Sequence, residues 1–271
     1  MRDFYTFYKA TCGALSEQAY NLFWEGRYLE CYRFYNSLIA KLELGMTDRL
    51  IYQHCARATN QDDLQKIGFP APPSPKEVLS LYHYECSQEQ KALEKPIFSR
   101  KFLSQPYLLS KAILAAFLGL KFRCTNAIET GTYLGGTTYL LSGVFDRVQT
   151  LEADDLLFET SKFWLERRTS NVLCHHGDSG SLLEALIDYD EPTLFFLDAH
   201  YSTGPTTNKY GACALINELK LIFKRRNKSV VVIDDTRCFG SFGWPSFVDI
   251  FDVIPPDKSI ILKNDQLIIK P

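Results

Sequence analysis

Asn126-Ala-Ile-Glu-Thr-Gly-Thr-Tyr-Leu-Gly-Gly-Thr-Thr138 is the stretch on which the reading of this chain turns. An apolar segment closes on Glu129, Gly131 and the pair Gly135-Gly136 follow, and small hydroxyl residues lead into Tyr139-Leu140-Leu141. That order reads as strand, tight glycine turn and helix start. Glycine permits positive φ and close backbone approach, and the first N–H groups of the helix face whatever lies in the turn. The spacing differs from the GxGxxG of dinucleotide binders, because Thr132 and Tyr133 stand where a second glycine would admit a pyrophosphate. The expected ligand is a nucleoside without a pyrophosphate. Taken alone, the turn reads equally well as a purely structural connection.

The 271 residues suffice for one large domain or a domain with an extension, and 46% hydrophobic residues supply a packed core, so disorder is not expected. A formal charge of −2 leaves no global basic field for nucleic acid or an anionic membrane. Eight cysteines are scattered without a CxxC pair, which argues against a zinc site and for free thiols in a reducing, cytoplasmic setting. The N-terminal Met1 to Lys9 lacks the apolar core of a signal peptide. The most apolar run, Leu108 to Leu120, is broken by Ser110 and Lys111 and falls short of the about 20 residues a membrane span requires. No membrane span is expected.

Residues 1 to about 68 read as helical. Tyr20, Phe23, Tyr28, Cys31, Tyr32, Tyr35, Leu38, Ile39 and Leu42 recur at helical spacing, as one or two amphipathic helices. Pro70, Pro72, Pro73 and Pro75 make a stiff break, after which Ser74 caps a helix running to about Leu93. A further helix spans Gln105 to Leu120. From Asn126 strands and helices alternate: strands at Asn126–Thr130, Val148–Leu151, Val172–His175, Thr193–Leu197 and Ser229–Ile233, with helices at Thr137–Phe145, Leu156–Arg168, Ser179–Ile187 and Ala212–Lys224. Runs such as Leu194-Phe-Phe-Leu197 and Val230-Val-Val-Ile233 suit a parallel sheet covered on both faces. Ser259–Lys263 and Gln266–Lys270 read as a terminal hairpin turning at Asn264-Asp265. The expected architecture is α/β, a doubly wound Rossmann-like sheet with a C-terminal antiparallel hairpin. It comprises residues 105–271, preceded by a helical extension over 1–104.

In an open α/β sheet, ligands bind outside the carboxyl ends of the strands. Each of the five expected strands has an acid there: Glu129, Glu152, Asp178, Asp198, and the pair Asp234-Asp235. One such acid is ordinarily a cap or turn residue; five together point to a ligand site.

With these residues in view, the chain from about Ala127 onward resembles the class I S-adenosylmethionine (SAM)-dependent methyltransferases. The turn Glu129-Thr-Gly131-Thr-Tyr-Leu-Gly135-Gly136 is similar to that family's first motif. The resemblance implies that Glu129, Gly131, Thr132, Tyr133 and Gly135 surround the methionine end of the cofactor. It implies too that Glu152 accepts from the ribose hydroxyls, and that Asp178 and Ser179 meet the adenine edge. The departure is the missing middle glycine, which places Tyr133 where it would crowd or cover the methionine moiety.

Phe196-Leu-Asp198-Ala-His200-Tyr-Ser and Val232-Ile-Asp234-Asp235-Thr-Arg237 add a narrower resemblance to catechol-type and cephalosporin-hydroxylase-like O-methyltransferases of bacterial glycan and secondary-metabolite pathways. It implies an Mg²⁺ held by Asp198, Asp234 and Asp235, His200 as general base beside Asp198, and a hydroxyl on a sugar or similar small molecule as acceptor. The same residues admit a structural reading: Asp235 as turn cap, Arg237 as the ion-pair partner of an acid, His200 as a loop hydrogen-bonding residue. His175 and His176 read as structural or adenine-stacking, and His54 and His83 receive no role. An NAD-dependent enzyme and a non-catalytic cofactor-binding scaffold are the competing functions. Homo-oligomer assembly stays open.

Overall fold

The strands β1 (Asn126–Thr130), β2 (Arg147–Glu152), β3 (Val172–His176), β4 (Thr193–Leu197) and β5 (Val230–Ile233) run parallel, and the hairpin β6 (Ser259–Lys263) and β7 (Gln266–Lys270) joins them antiparallel. The strand order is β3-β2-β1-β4-β5-β7-β6. This is the expected doubly wound α/β sheet with its terminal hairpin. The computed structural model describes residues 14–38, 44–61, 67–93, 108–188, 190–199, 213–224, 228–241 and 243–271.

Alternation along the strands assigns the two faces. Leu194, Phe196, Val230, Val232 and Ile268 belong to one buried cluster; Phe195, Leu197, Val231, Ile233, Leu267 and Ile269 belong to the other. Side chains two apart share a face, so a strand buried on both faces must be apolar throughout, as β4 and β5 are. The fifth strand begins at Val230, one residue later than expected, because the Ser229 hydroxyl accepts the Thr193 N–H at 3.2 Å. Asn264 and Asp265 both lie at positive φ (52° and 60°), as a tight hairpin turn requires.

The first face is covered by helices from both halves of the chain. The expected N-terminal helical region contains α1 (Ala14–Trp24), α2 (Tyr28–Leu38) and α3 (Met46–Ala58), with Gly26 at φ 70° ending the first turn between them. Ser74 and Glu77 exchange side-chain and backbone hydrogen bonds at the start of α4 (Pro75–Leu93), the cap expected there. α5 (Leu108–Lys121) lies over β4 and β5, α6 (Gly136–Ser142) follows the glycine turn, and α3 packs on α7 (Asp155–Arg168). The proline stretch straps these together: Phe69 stacks on Trp164 with centroids 5.4 Å apart, and the Tyr139 hydroxyl donates to the Pro70 carbonyl at 2.7 Å. The other face carries α8 (Ser179–Leu186), α9 (Leu215–Ile222) and α10 (Phe247–Phe251). Among the described residues, no helix is long and apolar enough to cross a membrane.

Candidate active site

The chain leaves β3 at one edge of the sheet and crosses back to β4 beside β1, so the order reverses between β1 and β4. A crevice opens outside the carboxyl ends of the strands at such a point. The glycine turn lies in it. Gly131 has φ 86°, and a Cβ there would meet the Asp198 carbonyl oxygen at 2.5 Å, so the end of β4 presses directly on the turn. The Gly131 and Thr132 N–H groups donate to the Leu151 carbonyl at 2.9 and 3.1 Å, which fixes the turn to β2. Gly135, at φ 80°, backs onto Trp164 and Leu165 of α7.

Tyr133, also at positive φ (50°), directs its backbone N–H to Glu152 Oε2 at 2.7 Å. Its ring lies edge-on to Phe23 of α1, centroids 6.2 Å apart, and its buried hydroxyl has no partner among the described residues. The side chain expected to crowd the turn is thus packed against the N-terminal helices. Glu152 Oε1 accepts from the Ala153 and Asp154 N–H groups, both at 3.0 Å. Burial raises the Glu152 pKa, and these backbone donors oppose the rise.

Glu129 is buried beneath the turn. Its Oε2 accepts from the Thr138 hydroxyl of α6 and from the Thr150 hydroxyl of β2 at 2.7 Å, while Thr150 and Thr132 share a hydroxyl bond of 2.7 Å. Burial pushes this carboxyl up to about 8, against the two hydroxyls and helped by the charges of Asp198 and Glu152. Asp178 occupies the N-cap position of α8, and its Oδ2 accepts from the Ser181 hydroxyl at 2.7 Å. Ser179 is buried beside Glu218 of α9.

Glu218 escapes the strand-end reading because it sits inside a helix. Its neighbours Leu215, Leu219 and Ile222 are buried, which makes an acid on that apolar face the signal to look for. The residue is 1% exposed, and its Oε1 has no hydrogen-bond partner among the described residues. Burial pushes it up to about 7, against the hydroxyls of Ser179 and Thr130. Asp198, at the mouth of the crevice, adds to the proton affinity of Glu129, Glu218 and Asp234 alike. Asp198 is thus the shared neighbour of three buried acids, each of which holds its proton more tightly for it.

The acids after β5 are engaged differently. Lys111 of α5 places Nζ 2.8 Å from Asp234 Oδ1, 2.6 Å from Asp235 Oδ1 and 3.3 Å from Asp265 Oδ2 of the hairpin turn. The Arg237 guanidinium bonds the same two oxygens, Asp235 Oδ1 and Asp265 Oδ2, and the Arg237 backbone N–H donates to Asp265 Oδ1 at 2.9 Å. Burial works against the Lys111 ammonium, but Asp234 and Asp235 outweigh it and hold its pKa above the ordinary value. Burial and the Asp198 charge push Asp234 up to about 7 in spite of Lys111. Among the described residues, no group of three or more His, Cys, Asp or Glu side chains is arranged to hold a metal ion. Lys111 and Asp265 escape sequence reasoning because 154 positions separate them.

His200, expected as general base, lies outside the described residues. His176 is on the surface, stacked on Phe158 at 4.6 Å and paired with Asp155 at 3.0 Å. His54 is buried in α3, bonded to the Thr160 hydroxyl at 2.9 Å, and burial lowers its pKa to about 4. The described cysteines are free thiols.

No protein-family model and no curated protein sequence matches the chain. Among solved structures, the O-methyltransferase from Bacillus cereus in complex with SAH is 18% identical over 76% of this chain and 93% of its own, with a TM-score of 0.46. The O-methyltransferase TomG from Streptomyces achromogenes, involved in tomaymycin synthesis and bound to SAM, is 16% identical over 71% of this chain and 88% of its own, at a TM-score of 0.43. The SAH-bound methyltransferase PaMTH1 of Podospora anserina is 12% identical over 73% and 88%, at 0.42.

Proposed function

We propose that the chain is a SAM-dependent methyltransferase acting on a hydroxyl oxygen of a small molecule, a sugar or a compound of comparable polarity. The observation that carries this reading is the acid cup at the strand switch point, Glu129, Asp198, Glu218 and Asp234 beside a glycine turn. A pyrophosphate among these acids would oppose their ionisation, whereas the sulfonium and ammonium of SAM favour their ionised forms. The turn around Gly131 has room for backbone approach and none for a Cβ. Glu152, at the end of β2, has two oxygens suited to a vicinal diol, and Asp178 with Ser179 would border the base.

SAM supplies an electrophilic methyl group when bound. The chain's own residues orient it, exclude water and take up the proton that the acceptor hydroxyl releases. Asp198 and His200, two positions further along, are assigned to that proton transfer, for which an imidazole with an ordinary pKa near 6.5 is suited. The N-terminal region 1–104 is assigned to the acceptor side, since α1 and α3 meet the turn through Phe23, His54 and Tyr133.

Magnesium does not fit the residues present. One oxygen of each of Asp234 and Asp235, Oδ1, already accepts from Lys111, whose ammonium stands between them. A divalent ion about 4 Å from that ammonium would be opposed by about 8 kcal/mol at an effective dielectric of about 20.

Incubating the protein with methyl-labelled SAM and fractionated small molecules tests the reading. A labelled product formed by the wild type, and reduced about a hundredfold or more in Asp198→Asn, is expected. Cofactor binding without transfer to any fraction contradicts it.

A further inference from the structure

Three acids from two parts of the fold meet at Lys111. Asp234 and Asp235 end β5, Asp265 comes from the hairpin turn, and Lys111 reaches them from α5 across 124 and 154 positions of sequence. An ammonium has three N–H donors, and here each finds one carboxylate oxygen, at 2.6, 2.8 and 3.3 Å. Arg237 bonds the same oxygens of Asp235 and Asp265, Oδ1 and Oδ2, that Lys111 meets, so two cations face three carboxylates. The Lys111 side chain is 6% exposed and those of the acids 3%, 13% and 12%. Keeping three acids ionised in so buried a place without a partner would be costly, and the two cations offset that cost.

We propose that Lys111 is the resident cation of this crevice: its ammonium fills the place between Asp234 and Asp235 that a divalent metal would take, and closes these acids to metal. Mg²⁺ needs oxygens at about 2.1 Å in near-octahedral array, and the ammonium already takes one oxygen of each of these acids from the space between them. Lys111 has no donor left for a substrate. It is a positioning residue, tying α5, the end of β5 and the hairpin into one rigid wall of the crevice. The proposal extends the methyltransferase reading, in which that wall flanks the acceptor, but metal binding can be measured with no SAM present.

The test is a Mn²⁺ titration of the full chain followed by electron paramagnetic resonance, for wild type, Asp234→Asn, Lys111→Ala, and Lys111→Ala with Asp234→Asn. The wild type is expected to show no saturable binding up to millimolar Mn²⁺. Lys111→Ala is expected to bind about tenfold tighter or better, and to lose that gain when Asp234→Asn is added. A lysine with a merely structural role would leave Mn²⁺ binding unmoved. Saturable wild-type binding that Asp234→Asn abolishes overturns the proposal, and so does a folded Lys111→Ala that binds no better than wild type. If Lys111→Ala does not fold by circular dichroism, Lys111→Gln replaces it, and the wild-type titration still decides whether these acids are closed to metal. Loss of the methyltransferase reading would appear separately, as absence of SAM binding with the Mn²⁺ results unchanged.

Discussion

Gly131 carries the strictest steric demand at the crevice. Any side chain there has to adopt φ 86° and place its Cβ 2.5 Å from the Asp198 carbonyl oxygen, which is backbone and cannot swing aside. Gly131→Ala is therefore expected to lower the urea midpoint and to weaken SAH binding about tenfold or more; a variant with wild-type midpoint and affinity would show that the turn has slack. Glu129 makes a contrasting case. Its place at the end of β1 is legible from the chain, but its burial under Thr138 and Thr150 is not, because that depends on how α6 and β2 pack around it. Tyr133 escapes for a similar reason: from sequence it stands over the turn, and only the presence of Phe23, more than a hundred positions away, explains where its ring packs.

At the level of elements, Trp164 of α7 connects the proline strap to the turn. Its ring stacks on Phe69, and its indole N–H donates to the Leu134 carbonyl at 3.2 Å. Trp164→Ala removes a 4%-exposed indole and both contacts, and is expected to cost about 3–5 kcal/mol in urea unfolding. A loss under about 1 kcal/mol would mean that the strap is held by other contacts. The alternating strands, the hairpin and the proline break are all readable from periodicity and turn chemistry, which are local. The ion cluster of Lys111 is not. In the sequence Lys111 is only an interruption of an apolar run, and its three carboxylates become neighbours once α5 crosses β5 and the hairpin folds back. The fold is thus legible in local patterns. The wall of the site is legible in half: its acids lie at strand ends, whereas their cation comes from a helix that precedes the sheet.

Over the whole molecule the formal charge is only −2, yet Glu129, Asp198, Glu218 and Asp234 gather at one end of the sheet. The folded pKa values of Glu129, Glu218 and Asp234, about 8, 7 and 7, exceed the ordinary carboxyl range of the unfolded chain. The folded state therefore binds more protons than the unfolded state. That stability is full below about pH 4 and is lost as pH rises through the folded values. Buried His54, lowered to about 4, acts oppositely, but only below its ordinary pKa. Between about pH 6.5 and 8.5 the urea midpoint of the ligand-free protein is thus expected to fall, with a shallower slope in Glu129→Gln; a rising midpoint contradicts the assignment. SAM should offset the fall, since a cation in the cup favours the ionised acids.

That the cup receives SAM is tested most directly by calorimetric titration of the wild type and Glu152→Ala with SAH, with NAD as the competing ligand. Saturable one-to-one heat with SAH, weakened about tenfold or more in Glu152→Ala, and none with NAD, is the predicted result. No heat with SAH, or an affinity indifferent to Glu152→Ala, would contradict it.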